Sequence, residues 1–257
     1  MGRSIAFLYG VVAYGIFFLT FLYLIGFVGN LLVPKSIDTG AVTNTAAALL
    51  INFVLIALFG VQHSVMARPA FKKRWTRIVP TSIERSTFVL LASLILILLF
   101  WQWRPMGQIV WDLQAAWAQY LMWAVFFGGF VLVLLSTFVI DHFDLFGLRQ
   151  VMLNLRQKPY TSGDFKVTFF YKFVRHPLYA GFIMGFWGTP QMTVGHLLFA
   201  VGMTVYILIA IRYEERDLVT FHGEAYTKYR STVPMLIPRF VHPHETVKSP
   251  KPGQPGR

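Results

Sequence analysis

Long apolar runs constrain this chain before anything else does. Residues 5–33, 45–66, 87–103 and 115–140 each approach or exceed the length, about 17–25 residues, that a helix needs to cross a bilayer. They stop at Pro34-Lys35, at Arg68-Pro69, after Trp103 and at Asp141-His142. A fifth stretch, 178–211, is about twice as long as one span requires. It is interrupted by GTPQMTVGH at 188–196, where Gly188, Pro190 and Gly195 specify a turn. The pattern predicts an all-α fold, a polytopic integral membrane bundle. It has four spans plus a C-terminal helical hairpin (five or six membrane segments), with the hairpin turn short of the far surface. Composition agrees: 56% of the residues are hydrophobic and 13% charged, where soluble domains carry about a quarter charged. The first run is too long, and too poor in small residues after it, for a cleavable signal peptide. Trp101 and Trp103 fit interfacial anchors. A single domain is expected over 1–240, followed by a Pro- and Gly-rich disordered tail over 241–257.

The formal charge is +12, and the cations are unevenly spread. Arg68, Lys72, Lys73, Arg74, Arg77 and Arg85 fall in or beside one loop, and Arg149, Arg156, Lys158, Lys166, Lys172 and Arg175 in another. The intervening loops offer only Lys35 and Arg104. The positive-inside rule then puts both basic loops and both termini on the cytoplasmic side of the membrane. The cations are accounted for by topology and by anionic lipid, so the basic balance does not argue for nucleic acid. No cysteine is present, which excludes disulfides, thiolate metal sites and a cysteine nucleophile. No metal site and no obligate protein partner are expected.

Polar residues at span ends are informative, because spans are apolar by default. Gln62, His63 and Ser64, then Asp141, His142 and Asp144, then Arg175 and His176, and finally Glu214, Glu215, Arg216 and Asp217 all fall at the cytoplasmic ends in this topology. Pro177 suits the first position of a helix, whose unpaired amides favour an anion. Gly181, one turn on, lets something lie close to the backbone. In an antiparallel hairpin, Glu214 and Glu215 return to the surface that holds Arg175 and His176. That pairing suits a ligand with both a carboxylate and an amine. Each residue alone has a plainer reading, as a snorkelling anchor, a solvated helix end or a backbone-bonded histidine; their co-location is what marks a site.

The C-terminal third resembles the membrane methyltransferases related to isoprenylcysteine carboxyl methyltransferase. The resemblance lies in Arg175-His176-Pro177-x-Tyr179-x-Gly181, Glu214-Glu215-x-x-Leu218, Gly223-x-x-Tyr226-x-x-Tyr229, Val233-Pro234 and Ile237-Pro238. Upstream, LYLIGFVGNLLVPKSIDTG, QHSVMARPAFKKRW, IERSTFVLLASL and DHFDLFGLRQV are similar to bacterial methanethiol S-methyltransferases. QHSVMA and FDLFGLRQV are also similar to nurim, a membrane protein of the same superfamily. The resemblance implies S-adenosylmethionine as cofactor, methanethiol as the small thiol substrate and dimethyl sulfide as product. It implies a cofactor-binding block over 171–239, with His176, Pro177, Tyr179, Gly181, Glu214, Glu215, Leu218, Tyr226 and Tyr229 as its residues; the hairpin start adds Arg175, beside His176, as a group for the cofactor's carboxylate. A thiol must ionise before it attacks. His63 and His142 are the candidate groups for promoting this, with Asp141 a candidate to orient His142. Rival readings are a prenylcysteine carboxylate or other lipophilic acceptor, a nurim-like protein without activity, and a haem or metal protein using His63, His142 and His176.

Overall fold

The computed structural model describes residues 2–161 and 167–238. The expected tail over 241–257, together with Lys166 and the last residue of the 171–239 block, lies outside them. The described chain runs α1 (Arg3–Gly29), α2 (Thr45–Ala67), α3 (Pro69–Trp75), α4 (Thr81–Gln102), β1 (Ile109–Asp112), α5 (Ala116–Ile140), α6 (His142–Leu145), α7 (Leu148–Leu155), a 3-10 turn (Phe169–Lys172), α8 (Pro177–Trp187), β2 (Gln191–Thr193), α9 (Val194–His222) and α10 (Glu224–Thr232). Five helices, α1, α2, α4, α5 and α9, are long and apolar enough to cross a membrane. The protein is a polytopic helical membrane bundle.

The helix ends follow local chemistry. Asn30 closes α1 in the left-handed conformation. The Asn44 side chain accepts from the Ala47 amide to open α2. Pro177 takes the first turn of α8, as its missing amide proton allows. The chain enters α4 right after Pro80, earlier than apolarity alone indicates, so Glu84 and Arg85 are helical.

The hairpin differs from expectation at its turn. α8 has 11 residues and α9 has 29, so the short arm spans about 16 Å against about 43 Å for the long one. The turn nevertheless reaches the far end, because β2 pairs antiparallel with β1 from the loop between α4 and α5. This two-stranded ribbon is absent from a purely helical reading. The far end also holds more polar contacts than the sequence suggests. Asp38 accepts from Thr193 at 2.5 Å and from Asn30 at 2.7 Å. Buried Asn52 exchanges two hydrogen bonds with the Arg104 backbone. Trp101 stays exposed, but Trp103 is fully buried and donates its indole proton to the Ile37 carbonyl, so it is a core residue rather than an anchor.

The main core fills this far half: Phe27, Leu99, Phe100, Trp103, Phe126 and Phe199 pack there with Leu24 and Phe186. The half at the basic end is held by smaller clusters around Val151 and around Met66 and encloses a cavity. Between the halves, α8 packs on α5 through glycines. A Cβ on Gly181 would lie 2.6 Å from the Gly129 carbonyl oxygen and 2.9 Å from the Val133 amide. Small residues let membrane helices approach this closely. Gly181 therefore meets a neighbouring helix, which accounts for its missing side chain without a ligand. Gly181→Ala is expected to cost about 1–3 kcal/mol, as overpacking does. Gly15→Ala, whose Cβ would meet nothing within 4 Å in the middle of α1, is expected to be neutral or to stabilise by up to about 1 kcal/mol. Thermal unfolding of both variants in one detergent checks the contrast.

Candidate active site

A cavity of about 890 Å³ opens at the basic end and runs into the bundle between α1, α2, α4, α5, α8 and α9. Its mouth is amphoteric. Arg68, Arg85, Arg149 and Arg175 line it together with Asp141, Asp144, Glu214 and Asp217. Several of these are tied down: Arg68 pairs with Asp217 at 2.9 Å, Arg149 with Asp144 at 3.2 Å, and Arg85 donates to the Leu145 carbonyl at 2.7 Å.

The start of the hairpin is locked to its return. Arg175 Nε and His176 Nε2 both donate to Glu215 Oε1, at 2.8 and 3.0 Å. Arg175 Nη1 adds bonds to the Arg230 and Val233 carbonyls. Backbone amides of Arg175 and His176 donate to Pro234 and Met235, the segment after α10. The adjacent glutamates are thereby separated. One residue is about 100° of helix, so Glu214 turns to the cavity, where its Oε2 accepts from the Tyr179 hydroxyl at 2.7 Å, while Glu215 faces the lock.

Tyr226 and Tyr229, three apart on α10, share a buried face with ring centroids 5.8 Å apart. Burial pushes the Tyr226 phenol up to about 12, with the Glu215 carboxylate adding to it, and pushes Tyr229 and Tyr171 up as well. All three stay neutral at physiological pH. The Tyr229 hydroxyl donates to the Tyr171 carbonyl at 2.6 Å, pinning α10 over the mouth.

The two other histidines sit differently. His142 Nε2 lies 2.8 Å from the Tyr14 hydroxyl and Nδ1 lies 2.8 Å from Thr137 Oγ1. The Thr137 hydroxyl donates to Leu134 at 2.6 Å. Its oxygen therefore accepts from Nδ1–H, which leaves Nε2 to accept from Tyr14. Burial lowers the His142 pKa from its ordinary value, against the pull of Asp141, in keeping with a neutral ring. Asp141 does not bond that ring. It caps α6 by accepting from the Asp144 amide and lies 3.9 Å from Arg149. His63 lies between the Phe59, Phe88 and Tyr206 rings, at centroid distances of 5.4, 4.7 and 6.2 Å. Its Nδ1 is buried and has no hydrogen-bond partner among the described residues.

Of the residues expected at the site, His63, Asp141, His142, Arg175, His176, Tyr179, Glu214, Leu218, Tyr226 and Tyr229 line this one cavity. Pro177, Gly181 and Glu215 are not among its lining residues: they start α8, pack it on α5 and lock it to α9. The sequence reading missed Arg68, Arg85, Asp217, Tyr171 and Tyr206 as site residues. For Arg85 the signal was available, since a cation one turn inside an apolar helix is costly unless it is held.

Below His63 the walls become apolar. Leu24, Phe59, Leu96, Phe186 and Met203, one from each of five helices, stand farthest from the mouth. The cavity thus joins a charged, aromatic mouth to an apolar depth, and His63 sits at the border.

The profile of the NnrU family, described as NnrU protein, matches residues 51–236. The chain is 56% identical to methanethiol S-methyltransferase 1 of Bradyrhizobium diazoefficiens over 92% of its own length and 83% of that protein's. It is 50% identical to the methanethiol S-methyltransferase of Mycobacterium tuberculosis over 95% of its length and all of the relative's. Mouse nurim is a more distant relative, at 27% identity over 67% of this chain and 68% of nurim. No solved structure matches. With a family profile covering most of its length and relatives at half identity end to end, the chain belongs to the NnrU family and, with these enzymes, to the methanethiol S-methyltransferases.

Proposed function

We propose that this protein transfers a methyl group from S-adenosylmethionine to methanethiol, giving dimethyl sulfide, with its active site at the cytoplasmic face of a bacterial inner membrane. The observation that carries the reading is the cavity, whose amphoteric mouth and apolar depth meet at one imidazole, in a chain with end-to-end relatives named for this reaction. The orientation rests on the two basic loops, which lie at the mouth end.

S-adenosylmethionine, when bound, supplies an electrophilic methyl group on a sulfonium, beside an amine, a carboxylate and a nucleoside. The residues present fit such a group. Glu214 would accept from its amine or a ribose hydroxyl, and the Arg175 guanidinium, which lines the cavity, would supply the positive side of the mouth. The neutral Tyr179, Tyr226 and Tyr229 rings suit a sulfonium or adenine, and a cation over such a ring gains about 0.5–2 kcal/mol. Leu218 gives the nucleoside an apolar wall. His176, Pro177 and Glu215 hold the frame.

The acceptor sits below, at His63. There the bound cofactor would supply its methyl group to the acceptor's sulfur and keep the electron pair on its own sulfur, and the His63 imidazole would take the thiol proton. Arg68 and Arg85 favour the thiolate electrostatically. His142, held by Tyr14 and Thr137 and carried by the turn that Asp141 caps, positions the mouth. Most of the acceleration comes from alignment of sulfur and carbon.

The test is a sealed-vial assay of purified protein with both substrates, measuring dimethyl sulfide in the headspace. Product from wild type, and at least about 100-fold less from Glu214→Ala, is expected. Folded protein that neither forms product nor binds S-adenosylhomocysteine would place it with a non-catalytic, nurim-like group instead.

A further inference from the structure

The cavity is far larger than its proposed acceptor requires. Its volume, about 890 Å³, lies near the upper end of the range for drug-sized ligands, whereas methanethiol has two heavy atoms. That volume takes in mouth and depth together; the cofactor suits the charged mouth, which leaves the apolar depth to the acceptor. From Phe88, whose ring meets His63, α4 lines the cavity through Ala92 to Leu96, a rise of about 12 Å. The polar side chains in this depth are already committed: Ser93 donates to the Val89 carbonyl at 2.8 Å and Thr20 to the Ile16 carbonyl at 2.7 Å. Ala92, a small side chain between Phe88 and Leu96 along this helix, lines the cavity and is the position where a larger side chain would enter it. The floor of Phe186 and Met203 backs onto solid core.

We propose that this chamber makes the protein a methyltransferase for straight-chain alkanethiols longer than methanethiol, with the alkyl chain lying along Ala92 towards Met203 and Phe186. The proposal rests on the thiol methyltransferase reading above and extends it to an acceptor class. The chemistry balances as before. The longer thiol loses its proton to His63, gains the methyl on sulfur, and leaves as an alkyl methyl sulfide, with the cofactor's carbon–sulfonium bond broken. Each added methylene leaves water for apolar walls, so KM falls about fourfold per methylene until the floor is reached. A thiol with an anionic end is excluded, because the chamber offers that charge no partner.

The experiment compares methanethiol, butanethiol, hexanethiol and 2-mercaptoethanesulfonate on wild type, Ala92→Leu and Ala92→Phe. Folding is checked by S-adenosylhomocysteine binding, and binding of butyl methyl sulfide is read independently as a rise in Tm. Expected are a lower KM for butanethiol than for methanethiol, no turnover of the sulfonate, and a Tm rise in wild type. Ala92→Phe, or Ala92→Leu if the larger side chain prevents folding, is expected to lower the butanethiol-to-methanethiol ratio of kcat/KM at least tenfold and to abolish the Tm rise. Turnover of methanethiol without butanethiol overturns the chamber while leaving the methyltransferase intact. Turnover of neither thiol removes the reading on which it rests. Unchanged ratios in folded Ala92 variants also overturn it, since the chain then lies elsewhere.

Discussion

Glu215→Ala is expected to destabilise the folded protein by about 3–5 kcal/mol, the cost of stripping one partner from a buried ion pair. The Glu215 side chain is only 12% exposed, Arg175 10% and His176 5%, and one carboxylate oxygen accepts a hydrogen bond from each of the other two. Removing it leaves a guanidinium out of water without a counter-charge. The consequences spread, because Arg175 also holds the Arg230 and Val233 carbonyls, and through them the end of α10 that carries Tyr226 and Tyr229. Glu215→Gln keeps the shape and an acceptor but not the charge, so it is expected to lose less. Arg175→Met combined with Glu215→Leu removes the uncompensated charge but leaves the His176 ring and the Arg230 and Val233 carbonyls without their partners, so it is expected to regain only part of the loss. Chemical or thermal unfolding in detergent, read against wild type, measures all three. A Glu215→Ala protein as stable as wild type would mean that water reaches the pair.

The lock shows where sequence reasoning stops. That Arg175, His176 and the glutamates share one surface follows from an antiparallel hairpin. That Glu215 serves the frame and Glu214 the cavity follows from helical phase against neighbours, which the sequence does not display. Spans were legible because lipid demands about 20 apolar residues in a row. The ribbon was not, because IVWD and QMT are too short to show a period and pair only across a long separation. Trp103 carries the composition of an interfacial residue; packing against Phe27 and Phe199, with the Ile37 carbonyl to take its indole proton, makes it core. Gly181 looked like room for a ligand and is room for α5. The histidines were found by type, but their roles divide by partners: Tyr14, which saturates His142, lies 128 residues away.

That division makes His63 the decisive substitution. His63→Gln, which keeps a planar side chain of similar size among the Phe59, Phe88 and Tyr206 rings, is expected to lower turnover of methanethiol about 100-fold or more at pH 7, within the range for loss of a general base. At that pH methanethiol is almost wholly protonated, because an alkanethiol without cysteine's electron-withdrawing groups ionises above the cysteine value of about 8.5, so the wild-type base contributes most. Without the base, rate follows the free thiolate and climbs about tenfold per pH unit until the thiol itself has ionised. Wild type, able to deprotonate a bound thiol, does not gain in the same way. The ratio between them therefore closes as pH rises through the thiol pKa. His142→Gln loses bonds to Tyr14 and Thr137 instead, and its deficit is expected to be the same at pH 7 and pH 10. Parallel profiles for the two variants would reduce His63 to packing, leaving water to take the proton while the charge of Arg68 and Arg85 favours the thiolate.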